Sequence, residues 1–254
     1  MCPNSKDSLL LSNRAIGIIP LKNELVFYSK FDQQTGSVYL SQSNVSNFKL
    51  NSELVHAIDG PFSSTNSSFH STCYCALTVF RMDPKADLFS FTLSFFLRIN
   101  DISTFGIYQD EHEPISPLRF SLLAVGTNIE LHTHNSSSQW PDPARWDTVS
   151  SFTFANVLKV KDWTFVGLVY EATSKTLKFY DQFANVIDLK TNVQIDPVAT
   201  QNIRIGDSRR FGTKYQFSPY SAIACLSLHK TALSQMDMAL LPCACQFKDE
   251  RQTI

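Results

Sequence analysis

Glycine is scarce in this chain, at 8 of 254 residues, well below the ~7 % of an average protein. Neither G-x-x-x-x-G-K nor G-x-G-x-x-G occurs, so the phosphate-cradling loops that support a nucleotide-binding reading are missing. Positive charge is not in excess either. Lys plus Arg is 22 against 23 for Asp plus Glu, so no general field attracts a phosphate backbone, and nucleic acid is not expected as a partner. No apolar run reaches the about 18 residues that span a bilayer, so no transmembrane segment is expected in this chain. Near the start, Leu9 to Leu11 gives way at once to Ser12, Asn13 and Arg14, too short and broken for a signal-peptide core. Export is not encoded here, and an extracellular form would be a mature fragment or a truncated ectodomain.

What is present is a foldable core. Apolar residues make up 43 % and charged residues 18 %, with 20 phenylalanines, which excludes a disordered chain. The length allows one large β domain or two small ones. Alternation decides between them. Phe89, Phe91, Leu93, Phe95 and Leu97 fall on one face, with Ser90, Thr92 and Ser94 on the other, which predicts a half-buried strand. Further strands are expected at Leu25 to Phe31, Ser37 to Leu40, Leu118 to Val125, Ile129 to His132, Thr164 to Tyr170, Thr176 to Asp181, Ile203 to Gly206 and Ile223 to His229. The polar link between Tyr170 and Thr176 suits an antiparallel hairpin. One segment, Leu233 to Leu241, reads as a helix: Ser234 caps it, Asp237 completes a capping box, and Pro242 stops it. The Ser-rich stretches Ser63 to Ser71 and Asn135 to Ser138 read as exposed loops. The pattern therefore predicts an all-β chain, a two-sheet antiparallel β-sandwich (jelly roll) with one short C-terminal helix. It occupies 15–245 as a single domain, between an extension at 1–14 and a tail at 246–254.

Cys2, Cys73, Cys75, Cys225, Cys243 and Cys245 form an even set, but spacing alone does not choose among their pairings. The two C-x-C pairs are too tight for the C-x₂₋₄-C spacing of zinc sites. Buried thiols in a cytosolic protein stand as the rival reading. Three N-x-[ST] tripeptides begin at Asn44, Asn66 and Asn135 in polar stretches, where glycans would fit. Together with the cysteines they point to an extracellular, disulfide-bonded glycoprotein.

From Trp163 onward the order of motifs is distinctive: Trp163 to Tyr170, Thr176 to Asp181, Ile203 to Gly206, then Tyr220 to His229 running into Ala232-Leu233-Ser234. This resembles the second half of a laminin G-like jelly roll of the concanavalin A-like lectin and glucanase superfamily. The match covers about residues 163 to 245, a third of the chain. Ala184-Asn185 stands where the family carries a turn glycine after Asp181, which implies a longer or differently kinked hairpin. The resemblance implies a bond from Cys225 to Cys245, with Cys243 as second choice. Such a bond would clip the helix to the last strand and contribute on the order of 3 kcal/mol.

Asp110-Glu111-His112-Glu113 is the one place where a glucanase-like acid pair, Glu111 and Glu113, would fall. Pro114 and Pro117 follow at once and the family's third carboxylate is missing, so an exposed acidic loop is expected instead of a catalytic strand. The resemblance makes calcium the one cofactor to consider, held by Asp110, Glu111 and Glu113, since oxygen ligands at irregular spacing suit it; no cofactor is required. His132 and His134 share a face and could chelate a transition metal with Asp142, against the plainer reading of surface histidines beside a glycan at Asn135. Trp140 and Trp146, set among prolines, either stack on a sugar or fold back as a lid on the core. Arg204, Arg209, Arg210 and Lys214 gather positive charge suited to acidic glycans or to a solvated hairpin tip. The expectation is a non-catalytic adhesion or lectin-like module binding a glycan or an extracellular protein. The alternatives are a glycoside hydrolase or lyase, and a purely structural module of a surface or matrix protein.

Overall fold

The computed structural model describes residues 25–29, 38–40, 45–50, 55–58, 60–61, 68–72, 74, 77–86, 88–111, 118–134, 148–195, 200–210 and 213–246. Two large antiparallel sheets dominate. The first runs β14 (Val186–Lys190), β13 (Thr176–Tyr180), β12 (Trp163–Glu171), β7 (Phe91–Arg98), β18 (Ala222–His229), β1 (Leu25–Ser29), β2 (Val38–Leu40). Against β18 also lies β5 (Ser68–Ser71), which carries β4 (Val55–Ile58). The second runs β11 (Thr148–Phe154), β10 (Asn128–His134), β9 (Leu118–Val125), β8 (Thr104–Glu111), β15 (Thr200–Ile205), β6 (Thr78–Ala86), β3 (Val45–Leu50). Outside both sheets, β16 (Asp207–Arg210) and β17 (Thr213–Gln216) pair as a separate ribbon. The all-β sandwich is thus present.

Phenylalanine builds the core between the sheets. Phe91 stacks on Phe120 at 4.8 Å, Phe120 on Tyr108 at 5.2 Å, and Tyr170 leans on Phe91 at 5.5 Å. Phe91 and Tyr170 come from the first sheet, Phe120 and Tyr108 from the second, so one aromatic row crosses the interior. Each such ring contributes about 1.5–3 kcal/mol on leaving water.

The half-buried reading of β7 is corrected: Thr92, Ser94 and Phe96 are buried along with Phe91, Leu93, Phe95 and Leu97, while Phe89 lies before the strand and is exposed. Both faces are covered because the C-terminal segment packs over the outer one. There Phe96, Phe165, Val169, Tyr180 and Ala224 meet Leu233, Met238 and Leu241. Thr92 Oγ1 donates to Thr231 O and accepts from Leu233 N, both at 2.9 Å, and the Ser94 and Ser227 hydroxyls share a bond at 2.7 Å. Polar residues at alternate positions thus mark a satisfied buried face rather than water.

The capping box is present: Ser234 Oγ accepts from Asp237 N at 3.2 Å and Asp237 Oδ2 accepts from Ser234 N at 3.3 Å. The helix it starts is brief, however. α1 spans Gln235–Met238, and a second helix, α2, spans Leu241–Gln246. Pro242 does not stop the helix as expected but sits in the first turn of α2, where its missing N–H costs nothing. Likewise the end of the Ser63 to Ser71 stretch is not an exposed loop. Ser68–Ser71 is strand β5, and Ser68 is fully buried.

The 170–176 hairpin forms as expected, with Glu171 opposite Thr176 and Lys175 supplying the left-handed conformation at φ 52° that glycine usually provides. After β13 the turn without glycine is tight. Ala184 takes φ 59°, and Asp181 Oδ1 accepts from Phe183 N and Asn185 N, each at 2.9 Å. The aspartate supplies the local bonds that compensate for the alanine.

Candidate functional site

The ribbon β16–β17 leaves the second sheet at Gly206, whose φ of 77° and close approach to Leu77 N, 2.8 Å from where a Cβ would stand, require glycine. It rejoins the body at Phe217, whose N donates to Gly206 O at 2.9 Å and whose ring meets Phe105 edge-on at 5.3 Å. Between these anchors the ribbon lies against β8 and β9. The β8 strand bulges between Gly106 and Tyr108, which interrupts its ladder with β9, and Ser208 fills the break. Its Oγ accepts from Ile107 N and Tyr108 N, both at 3.2 Å, and donates to Tyr108 O at 2.7 Å, with Leu122 O also in contact. Gly106 allows the approach, because a Cβ there would stand 2.2 Å from Tyr215 O.

Docking the ribbon this way opens a cleft of about 440 Å³ walled by Tyr74, Thr104, Lys214, Tyr215 and Gln216. Tyr74 is 56 % exposed. Lys214 Nζ contacts the buried Asp207 carboxylate at 3.0 Å, so its charge is partly balanced from below while nearly half its side chain faces solvent. Phenol faces, a hydroxyl, an amide and an ammonium together suit a polyhydroxylated ligand: apolar ring faces for C–H groups, and donors and acceptors for hydroxyls.

Of the basic residues expected to cluster, the structure places Arg209 opposite Lys214 and Arg210 opposite Thr213 on the ribbon, whereas Arg204 is half-buried within the second sheet between β6 and β8. Tyr74, Thr104, Tyr215 and Gln216 were not expected. Tyr74 lies between the cysteines of the first C-x-C pair, and Tyr215 follows Lys214; only the folding of the ribbon onto β8 joins them.

The acidic segment is corrected in part. Asp110 is not on an exposed loop but fully buried in β8, opposite Phe120 and Ile203. Glu111 ends the strand, and Glu113 lies outside the described residues. A strand of eight residues puts Asp110 about 20 Å from Thr104 and the cleft. His132 and His134 are not surface histidines either. Both are buried, His132 Nε2 against Glu130 Oε2 at 2.9 Å and His134 Nε2 against Ser121 Oγ at 3.0 Å. Among the described residues no three His, Cys, Asp or Glu side chains are placed to hold a metal ion.

Cys225 and Cys243 each take part in a disulfide bond. A bulge in β18 between Ala224 and Ser227 turns Cys225 toward the C-terminal segment, at φ 52°. The side chain of Cys245 lies outside the described residues, as do Cys2, Cys73 and Cys75. So do Trp140, Trp146, Asp142 and the acceptors Asn44, Asn66 and Asn135.

Fold and site together define a class: an antiparallel β-sandwich with a ribbon-walled surface cleft. No family model matches the chain and no curated protein is similar to it. Solved structures are. The chain is similar to the botulinum neurotoxin serotype D binding domain, with a TM-score of 0.61 and 12 % identity over 90 % of this chain and 52 % of that one. It is similar to the serotype D ligand binding domain in complex with N-acetylneuraminic acid (TM-score 0.60, 12 % identity, 90 % and 52 % covered). A third is the binding domain of botulinum neurotoxin DC in complex with rat synaptotagmin II (TM-score 0.57, 12 % identity, 89 % and 53 % covered). This chain spans about half the length of those structures, and the likeness is one of fold.

Proposed function

We propose that this chain is a non-catalytic recognition module, laminin G-like in kind, that binds a glycan or an extracellular protein through the cleft at the foot of the β16–β17 ribbon. The observation that carries the reading is the lining of that cleft: two tyrosines, a threonine, a glutamine and a lysine, a set built for holding hydroxylated surfaces rather than for transferring protons. Its structural neighbours are themselves binding domains, one in complex with N-acetylneuraminic acid and one with synaptotagmin. The hydrolase reading loses ground because the acidic segment stands at the other end of β8, while a glycosidase needs both carboxyl groups within about 10 Å of each other at the scissile bond. An extracellular setting, with a Cys225 to Cys245 bond and glycans at Asn44, Asn66 and Asn135, belongs to the same proposal.

The test is a glycan array of neutral, sialylated and sulfated saccharides, run with calcium and with chelator, followed by titration of any hit. Tyr74→Ala and Lys214→Glu should each weaken binding at least tenfold, since a stacked ring or a charged contact contributes about 1–3 kcal/mol. An array without hits, or variants that bind as the parent does, would sink the reading.

A further inference from the structure

β14 ends the first sheet, and among the described strands it pairs only with β13. Proteins ordinarily protect such an edge with charge, proline or a covering loop, because its open backbone groups recruit another strand. Here three aliphatic side chains stand in water on it: Val186 is 45 % exposed, Ile187 47 % and Leu189 49 %. The two charges on the strand, Asp188 and Lys190, lie on one face and touch at 2.8 Å. Lys190 is held over the Phe154 ring at 5.4 Å, so neither charge interrupts the aliphatic face formed by Ile187 and Leu189.

We propose that a second copy of this chain docks on β14, antiparallel and two-fold symmetric about Leu189, joining the first sheets of the two copies edge to edge. The order of charges selects the occupant and the register. With the axis at Leu189, Asp188 of each copy stands opposite Lys190 of the other, giving two symmetric ion pairs on one face. On the other face Leu189 meets Leu189, with each Ile187 on the diagonal, within side-chain reach. Moving the axis by one residue sets Asp188 against Asp188 or Lys190 against Lys190, which is unfavourable. A self-complementary edge closes on itself as a dimer, and the β14 edge of each copy is then used up by the other.

The experiment is sedimentation velocity over a range of concentrations on the full chain and on Asp188→Lys, Lys190→Asp and Leu189→Lys, with circular dichroism to establish that each variant is folded. The parent should dimerise. Each single variant should weaken the dimer at least about tenfold, by replacing two attractions with two repulsions or by placing like charges on the axis. An equimolar mixture of Asp188→Lys with Lys190→Asp should recover the dimer, because only across the two copies do the charges become opposite again. That recovery does not depend on the contact within one strand, which both variants have lost. A parent that stays monomeric, single variants that dimerise like the parent, or a mixture that fails to reassociate would overturn the proposal.

Discussion

Replacing Ser208 by alanine tests the idea that the ribbon is fixed by one hydroxyl plugging the bulge of β8. The side chain is fully buried and meets four backbone groups: it accepts from Ile107 N and Tyr108 N and lies within donating reach of Tyr108 O and Leu122 O. One hydroxyl proton serves one carbonyl at a time, so three bonds are lost at once, two of them leaving buried N–H groups without an acceptor. At about 1 kcal/mol for each neutral bond, and more for each orphaned donor, the loss comes to about 2–4 kcal/mol, or a fall in Tm of roughly 5–15 °C for a domain of this size. Ser218→Ala is the control: this serine is equally buried, and its hydroxyl accepts one bond, from Ser103 Oγ at 3.2 Å, so about 1 kcal/mol is expected. Urea unfolding followed by tryptophan fluorescence measures both. Equal midpoints for the two variants would refute the plug, since they would show that the bulge finds other partners without Ser208.

Two further outcomes follow from the same structure. Gly106→Ala places a Cβ 2.2 Å from Tyr215 O and 2.6 Å from Ser208 N; because both are backbone atoms, the ribbon must lift. A loss of about 3 kcal/mol in unfolding is expected, together with loss of any ligand bound by the parent; retained affinity would separate the cleft from the ribbon. Burial beneath the C-terminal helices raises the Tyr180 hydroxyl above its ordinary pKa. The folded state thus favours the neutral phenol, so its contribution is complete below about pH 10 and is lost as pH rises from there through the raised value. Tyr180→Phe should show a smaller fall in stability than the parent across that alkaline window, and parallel curves would count against the assignment.

Periodicity alone defined the strands that carry strong apolar alternation. Leu118 to Val125 is observed with the expected bounds, and the strands expected at 129–132, 164–170 and 223–229 are observed at Asn128–His134, Trp163–Glu171 and Ala222–His229. Strands without that signature were not legible. β6 contains Pro84, tolerated because its ladder with β15 skips from Arg81 to Ala86. β14 has no buried face to impose a pattern, and β16–β17 carries charge where a core strand carries leucine.

Side-chain chemistry written in the sequence therefore settled the all-β character, the aromatic core and the Ser234 cap, because these depend on periods of a few residues. What lies outside each period was decided by packing across the sheets. Whether Thr92 and Ser94 meet water depends on a segment about 140 residues later, and whether Asp110 is a rim ligand or a buried strand residue depends on Phe120 and Ile203 beside it. The cleft is the clearest case. Tyr74, Thr104 and Tyr215 are remote in sequence and share no pattern, and they become neighbours only because Gly206 turns the chain and Ser208 seats it in a bulge that another strand provides.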